Sequence, residues 1–355
     1  MLIVGFILPL GRPPGSFPPI NTAMKQKILV TRPTFPDVVD RLREYFDVTV
    51  NEGPRFTPEE LHNALIGKDG ALVSGGDRID DLVLKGLSQL KAICVTAAGY
   101  NNIDVAALTR AAVIGTNSPG PADETVADFT WGLMIATARR LVEGSWSIAQ
   151  GQWKESFPIR FFGVNLHGKT LGILGLGGIG QAIARRAVGF RMPVLYHNRR
   201  RLSTSIEEDC RVAYRTKEEL LRESDFVVLA MPFNPGNYHL IGADELRLMK
   251  PSAMLFNIAR GGLIDEAALA TALQHGQLAA AGLDVFENEP AIFPGLIGLP
   301  NAVLTPHIAG GTEEAQHGLA SLAADNLIAA LGLGPQAGHP PSVFNPEVLG
   351  NSAAR

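Results

Sequence analysis

Cysteine is scarce in this chain, with two in 355 residues. Cys94 and Cys210 lie far apart, and neither has a His or Cys at metal-ligand spacing. That excludes a disulfide-stapled scaffold and gives no reason to expect a metal site. It points instead to free thiols in a reducing, cytoplasmic compartment. Long apolar runs are also missing. No stretch reaches the roughly 20 residues needed to cross a bilayer, so no membrane partner is expected. An excess of charge is missing too. Lys and Arg number 31 against 35 acidic residues, and Arg199 to Arg201 form the one basic block. Nucleic acid is therefore not an expected partner.

What is present suits a globular enzyme. A chain of 355 residues is long enough for two domains with full cores. Its start is unusual: Met1 to Leu10 is apolar, and Gly11 to Asn21 is rich in Pro and Gly. There is no basic segment before the apolar run and no small-residue cleavage site, so it does not read as a signal peptide. The first strand-like run follows Met24. Residues 1–23 are expected to be a disordered leader.

One stretch organises the rest. Thr170 to Leu174 reads as a buried strand that runs into Gly175-Leu176-Gly177-Gly178-Ile179-Gly180, then a helix from Gln181, then a second strand, Val194 to His197. Strand, glycine turn, helix and strand within about thirty residues make a dinucleotide site. Gly175 permits the turn, Gly177 lets a pyrophosphate approach the backbone, and Gly180 lets helix pack on strand. The second strand ends in Asn198-Arg199-Arg200. An NAD-selective site usually places a carboxylate there, on the ribose 2′-OH, and a carboxylate would repel a 2′-phosphate. Guanidinium groups can hold one by paired hydrogen bonds. The expectation is NADP(H), with NAD(H) possible.

Along the chain, strands are expected at 27–31, 48–50, 71–74, 92–96 and 113–116, alternating with helices. Thr57-Pro58-Glu59-Glu60 reads as a helix start. Ser118 to Pro121 is turn chemistry and marks a boundary. A long helix is expected from Asp123 to Val142, since Val126, Phe129, Thr130, Leu133, Met134 and Thr137 share one helical stripe. The aromatic stretch that follows (Trp146, Trp153, Phe157, Phe161, Phe162) suits a subunit contact. Six strands, at 170–174, 194–197, 226–230, 254–258, 280–284 and 302–305, then build a doubly wound sheet. A final helix spans Thr312 to Leu331, and a loose tail is expected beyond it. The fold class is α/β, with two parallel sheets covered by helices on both faces.

Ligands bind at the carboxyl ends of such strands. Arg260 follows strand 254–258, Glu289 follows 280–284, and His307 follows 302–305. Loops at Gly75-Gly76 and Ala98-Gly99 offer bare backbone N–H groups from the first half. A cation, a carboxylate and an imidazole beside a dinucleotide suit reduction of a carbonyl. The imidazole donates the proton, the carboxylate fixes its tautomer, and the cation polarises the oxygen.

From about Met24 to Leu331 the chain resembles the D-isomer-specific 2-hydroxyacid dehydrogenase family. The matching stretches are GLGGIGQAIARRA (175–187), LMKPSAMLFNIARGGLIDEAAL (248–269), AAAGLDVFENEP (279–290) and NAVLTPHIAGGT (301–312). The resemblance implies that Arg260 binds substrate and polarises its carbonyl, that Glu289 is the carboxylate partner, and that His307 is the acid/base. Gly75, Ala98 and Gly99 would hold the substrate carboxylate. Gly178 and Ile179 would lie in the pyrophosphate turn and Asp284 near the nicotinamide amide. Thr125, Met231, Pro232, Ile258, Ala259 and Gly310 complete the implied cofactor contacts. Gly178 departs from many relatives, which carry a larger residue there.

The resemblance also implies an architecture: a Rossmann-type cofactor domain over 119–307, and a flavodoxin-like substrate domain from 24–118 and 308–335, with 336–355 a loose tail. Family members are usually homodimers. VLYHNRR (194–200), GYNNID (99–104) and ETVADFTWGLMIATARR (124–140) look like the NADP-preferring reductases of glyoxylate, hydroxypyruvate and 2-ketogluconate. Two rivals remain. One is an NAD-dependent dehydrogenase of another 2-hydroxy acid, such as 3-phosphoglycerate. The other is a non-catalytic dinucleotide-sensing corepressor-like protein.

Overall fold

The computed structural model describes residues 25–156 and 158–349. The leader expected over 1–23 and the aromatic Phe157 lie outside them. Among the described residues, twelve strands form two all-parallel sheets. The first holds β1 (Lys27–Val30), β2 (Asp47–Val50), β3 (Gly70–Val73), β4 (Ala92–Val95) and β5 (Ile114–Thr116), in the order β2-β1-β3-β4-β5. The second holds β6 (Leu171–Leu174), β7 (Val194–His197), β8 (Val212–Tyr214), β9 (Phe226–Leu229), β10 (Met254–Asn257), β11 (Ala280–Leu283) and β12 (Ala302–Leu304). Its order is β12-β11-β10-β9-β6-β7-β8. These are the flavodoxin-like and Rossmann orders, the latter extended by one strand. The central strands are buried along their whole length and almost wholly apolar, as FVVL and MLFN show, because helices cover both faces.

Local signals explain most helix starts. Thr57 accepts the Glu60 N–H while Glu60 accepts the Thr57 N–H at 2.8 Å, and Pro58 opens the helix. The final helix, Glu313–Ala330, returns to the first sheet. Its Ala320, Ala323, Ala324 and Leu327 are buried against Ile28, Val30 and Leu72.

Three features differ from the sequence expectation. The long helix stops at Ala138, and Arg140 turns left-handed at φ +52° before a second helix, Leu141–Ala149. The Ala138 carbonyl accepts the Val164 N–H at 2.9 Å, so it is taken by a strand-like return rather than by the next helical turn. The second sheet gains β8, a three-residue edge strand too short to show an alternation. Residues 332–349 are not loose. The Asn345 amide accepts the Gly115 N–H at 2.8 Å and donates to the Val113 carbonyl at 2.9 Å, closing the free edge beyond β5. Beside it, Phe344 fills the space a side chain at Gly115 would need. Trp146, Trp153 and Phe162, expected at a subunit contact, are each about three-fifths exposed in the single chain.

Asn345→Ala leaves a buried N–H and a buried carbonyl without partners. It is expected to lower stability by about 1–3 kcal/mol, read as a lower Tm. An unchanged Tm would mean that the tail contributes nothing.

Candidate active site

The glycine turn behaves as a cradle. Gly175 adopts φ +100°, a conformation that favours glycine. A Cβ on Gly180 would collide with the Gly175 carbonyl, whereas a Cβ on Gly177 would meet nothing within 4 Å. Open space therefore fronts the N-terminus of the helix Gly178–Ala187, where N–H groups and the helix dipole favour an anion. Gly178 has a local reason. The Asp123 carboxylate occupies the space a side chain there would need. Burial, with the Glu124 charge, pushes the Asp123 carboxyl above its usual range. Ile179 follows within the same first turn.

The end of β7 sorts its polar residues into two kinds. Asn198 Oδ1 accepts the Leu176 N–H at 2.7 Å, so it holds the glycine turn itself. Arg199 and Arg200 are exposed, and neither has a hydrogen-bond or ion-pair partner among the described residues. Arg201 is different. It grips both oxygens of Glu207 at 2.8 Å and lies over the Tyr214 ring, while the Tyr196 hydroxyl donates to Glu207 at 2.6 Å. The basic block thus splits into two free guanidinium groups and one structural group. An open cradle and two free cations at the adjacent strand end fit a phosphorylated dinucleotide.

The other residues expected at the cofactor lie along the same edge of the sheet. Thr125 Oγ1 is 3.4 Å from Thr312 Oγ1. Met231 and Pro232 follow β9, and the Pro232 carbonyl accepts the Asn237 amide at 2.9 Å. Ile258 and Ala259 follow β10 and are buried. The Gly310 carbonyl accepts the Gln316 amide at 2.9 Å.

Arg260, Glu289 and His307 meet in one cleft of about 500 Å³, which Gly75 also lines. His307 Nδ1 lies 2.7 Å from Glu289 Oε2, and Glu289 Oε1 accepts the Phe286 N–H at 3.0 Å. The imidazole is thus oriented through Nδ1, and Nε2 has no partner among the described residues. Burial pulls the Arg260 guanidinium below its usual range, and the Glu289 charge opposes that. Arg260 Nη1 donates to the Ala259 carbonyl at 2.6 Å, and its Nε donates to Asn101 at 3.2 Å. Gly99 lies directly beneath it: a Cβ there would overlap the guanidinium. Ala98 is held by its carbonyl, which accepts the Asn117 amide at 2.6 Å.

Asp284 ends β11 with its side chain fully buried. Its carboxylate accepts the Thr305 hydroxyl at 2.7 Å and the Ile308 and Ala309 N–H groups at 2.9 Å each, while its carbonyl accepts the His307 N–H at 2.8 Å. In this structure it fastens the segment that carries His307, a task its sequence position did not disclose. Asn101 was also missed. Its amide donates to the Phe233 carbonyl at 2.8 Å, so it links the two halves at Arg260, and its nearness to Gly99 was the available signal. Cys94 is buried, and burial pushes its thiol up to about 12, which leaves it unreactive. Among the described residues no cluster of His, Cys, Asp or Glu could hold a metal ion, and no helix is long and apolar enough to cross a membrane.

Residues 131–309 match the model of the D-isomer specific 2-hydroxyacid dehydrogenase NAD binding domain. A glyoxylate reductase of Thermococcus gammatolerans is 44% identical over 331 residues, 92% of this chain and 98% of that one. A glyoxylate/hydroxypyruvate reductase B of Serratia proteamaculans is 43% identical, covering 87% of this chain and 95% of its own. Among solved structures, an NADPH-dependent glyoxylate/hydroxypyruvate reductase from Sinorhizobium meliloti, in complex with NADP and malonate, superposes with a TM-score of 0.80 at 31% identity, over 90% of this chain and 97% of that one.

The Arg201–Glu207 pair makes a pH prediction. Arg201, with the Tyr196 hydroxyl, holds the Glu207 carboxyl at about 2, against an ordinary 4.5. A carboxyl lowered on folding stabilises above its unfolded value, and that contribution is lost as pH falls toward the folded one. The Tm advantage of wild type over Glu207→Gln should therefore be full above pH 4.5 and vanish near pH 2. A difference that is flat across that window would contradict the pairing.

Proposed function

The chain belongs to the D-isomer specific 2-hydroxyacid dehydrogenase family, and we propose that it is an NADPH-dependent reductase of small 2-keto acids, giving the D-2-hydroxy acid. The observation that carries this reading is the His307–Glu289 contact of 2.7 Å, in the same cleft as Arg260. Glyoxylate and hydroxypyruvate are the substrates that the relatives' names suggest. 2-Ketogluconate is the larger one to try.

Bound cofactor supplies the hydride, and this chain's residues do the rest. The substrate carboxylate pairs with Arg260 and the backbone N–H groups at Gly75 and Ala98-Gly99. Arg260 also polarises the keto oxygen as negative charge develops there. His307 Nε2 donates its proton to that oxygen, while Glu289 fixes the ring through Nδ1. Carbon gains a hydride and oxygen a proton. The neutral imidazole is then recharged from water, which reaches the half-exposed ring.

Cofactor choice rests on the end of β7. No carboxylate stands there to repel a 2′-phosphate, and the free Arg199 and Arg200 can pair with one. The substrate unit is assigned to 24–118 with 308–335 and the dinucleotide unit to 119–307. The exposed Trp146, Trp153 and Phe162 suit a homodimer contact. A cytoplasmic setting agrees with the two free thiols.

The direct test follows NADPH oxidation with glyoxylate, hydroxypyruvate, pyruvate and 2-ketogluconate, each repeated with NADH. Turnover with NADPH favoured supports the reading. NADPH binding with no turnover of any of them would favour a sensor. His307→Ala should lower kcat by about 10²–10⁴ with little change in cofactor affinity, and a near-wild-type rate would sink the proton-donor role. Replacing Arg199 and Arg200 by Ser should weaken NADPH binding far more than NADH binding. Equal losses would remove the 2′-phosphate argument.

A further inference from the structure

The loop from Asp284 to Phe293 presents Glu289, and one side chain holds it at a point on either side of that residue. Glu266 opens the helix Glu266–Gln274, behind Asp265 as its cap. Glu266 is 5% exposed and has no cation partner among the described residues. A buried carboxylate without a cation is costly unless donors meet it. Two do, and both are backbone groups of that loop. Oε1 accepts the Glu287 N–H at 2.7 Å and Oε2 accepts the Phe293 N–H at 3.3 Å. The two donors bracket Glu289. The helix N-terminus adds a favourable field.

We infer that Glu266 is a positioning residue for Glu289: its buried carboxylate spans the loop and sets where Glu289 meets His307. This rests on the reading of Glu289 and His307 given above. The surroundings agree. Glu287 is fixed from outside by His239 Nε2 at 2.7 Å and the Tyr238 hydroxyl at 3.3 Å. A Cβ on Gly261 would collide with the Phe286 carbonyl, so the loop also lies against the residue that follows Arg260. A shift of the loop would move the carboxylate relative to both the imidazole and the guanidinium. The charged or titratable groups near Glu266 are Asp265, Glu287, Glu289, His239 and Tyr238. Burial pushes the Glu266 carboxyl up, and the two N–H groups pull it back.

Glu266→Gln puts an NH₂ against one of the two N–H groups and frees one end of the loop. For glyoxylate with NADPH, kcat should fall about 10- to 100-fold, as expected for a misplaced catalytic group. NADPH affinity, read by fluorescence without substrate, should hold within about twofold. The KM for glyoxylate should change far less than kcat, because the substrate carboxylate rests on Arg260 and backbone N–H groups rather than on Glu289. In a Glu289→Ala background the same substitution should add little, since its effect passes through Glu289. Full additivity in that background, or a lower Tm with kcat unchanged, would overturn the inference. If Glu266→Gln does not fold, Glu266→Asp is read by the same criteria. A wild-type enzyme inactive on every keto acid would instead refute the underlying reading, so the two failures are distinct.

Discussion

At the end of β11 the Asp284 carboxylate is fully buried, and one short segment supplies all three of its donors: the Thr305 hydroxyl and the Ile308 and Ala309 N–H groups. His307 sits inside that bracket with φ +54°, a left-handed backbone that costs a non-glycine residue on the order of 1 kcal/mol or more. The bracket offsets that cost and aims the ring. Five residues after Asp284 in the same loop, Glu289 reaches Nδ1 of that ring. One strand end therefore determines both members of the proposed acid/base pair, and Glu266 secures the far side of the loop.

The cleft exists because parallel strands of two sheets empty toward one place. Arg260 leaves β10, and the 284–289 loop leaves β11. His307 follows β12, and Gly75 and Gly99 follow β3 and β4 of the other sheet. Asn101 joins the two sides, touching Arg260 and the Phe233 carbonyl. Glycine at 99 is required by contact, since the guanidinium occupies the space of a side chain. The two sides of the cleft thus share Arg260 and the loops around it, with the glycine cradle opening along the same sheet edge.

The sequence made much of this legible, and the exceptions have physical causes. Buried parallel strands announce themselves as apolar runs, and capping chemistry at Thr57 and Glu60 shows in four residues. The order of Arg260, Glu289 and His307 after successive strands was readable, although only the fold brings them to one cleft. What escaped was set by tertiary contact. The helix break at Arg140 depends on Val164 taking the Ala138 carbonyl. The tail is ordered by Asn345, whose partners lie some 230 residues earlier. Nothing local separates Arg201, engaged by Glu207, from its free neighbours. Asp284 and Asn198 act on backbone N–H groups, and no sequence pattern reports where those will be.

The most direct test of this account is a crystal structure with NADPH and oxamate, a 2-keto acid analogue that is not reduced. The oxamate carboxylate is expected on Arg260 and the Gly99 backbone, its keto-like oxygen within hydrogen-bond distance of His307 Nε2, and the 2′-phosphate between Arg199 and Arg200. Oxamate bound away from His307, or a 2′-phosphate turned from those arginines, would contradict it.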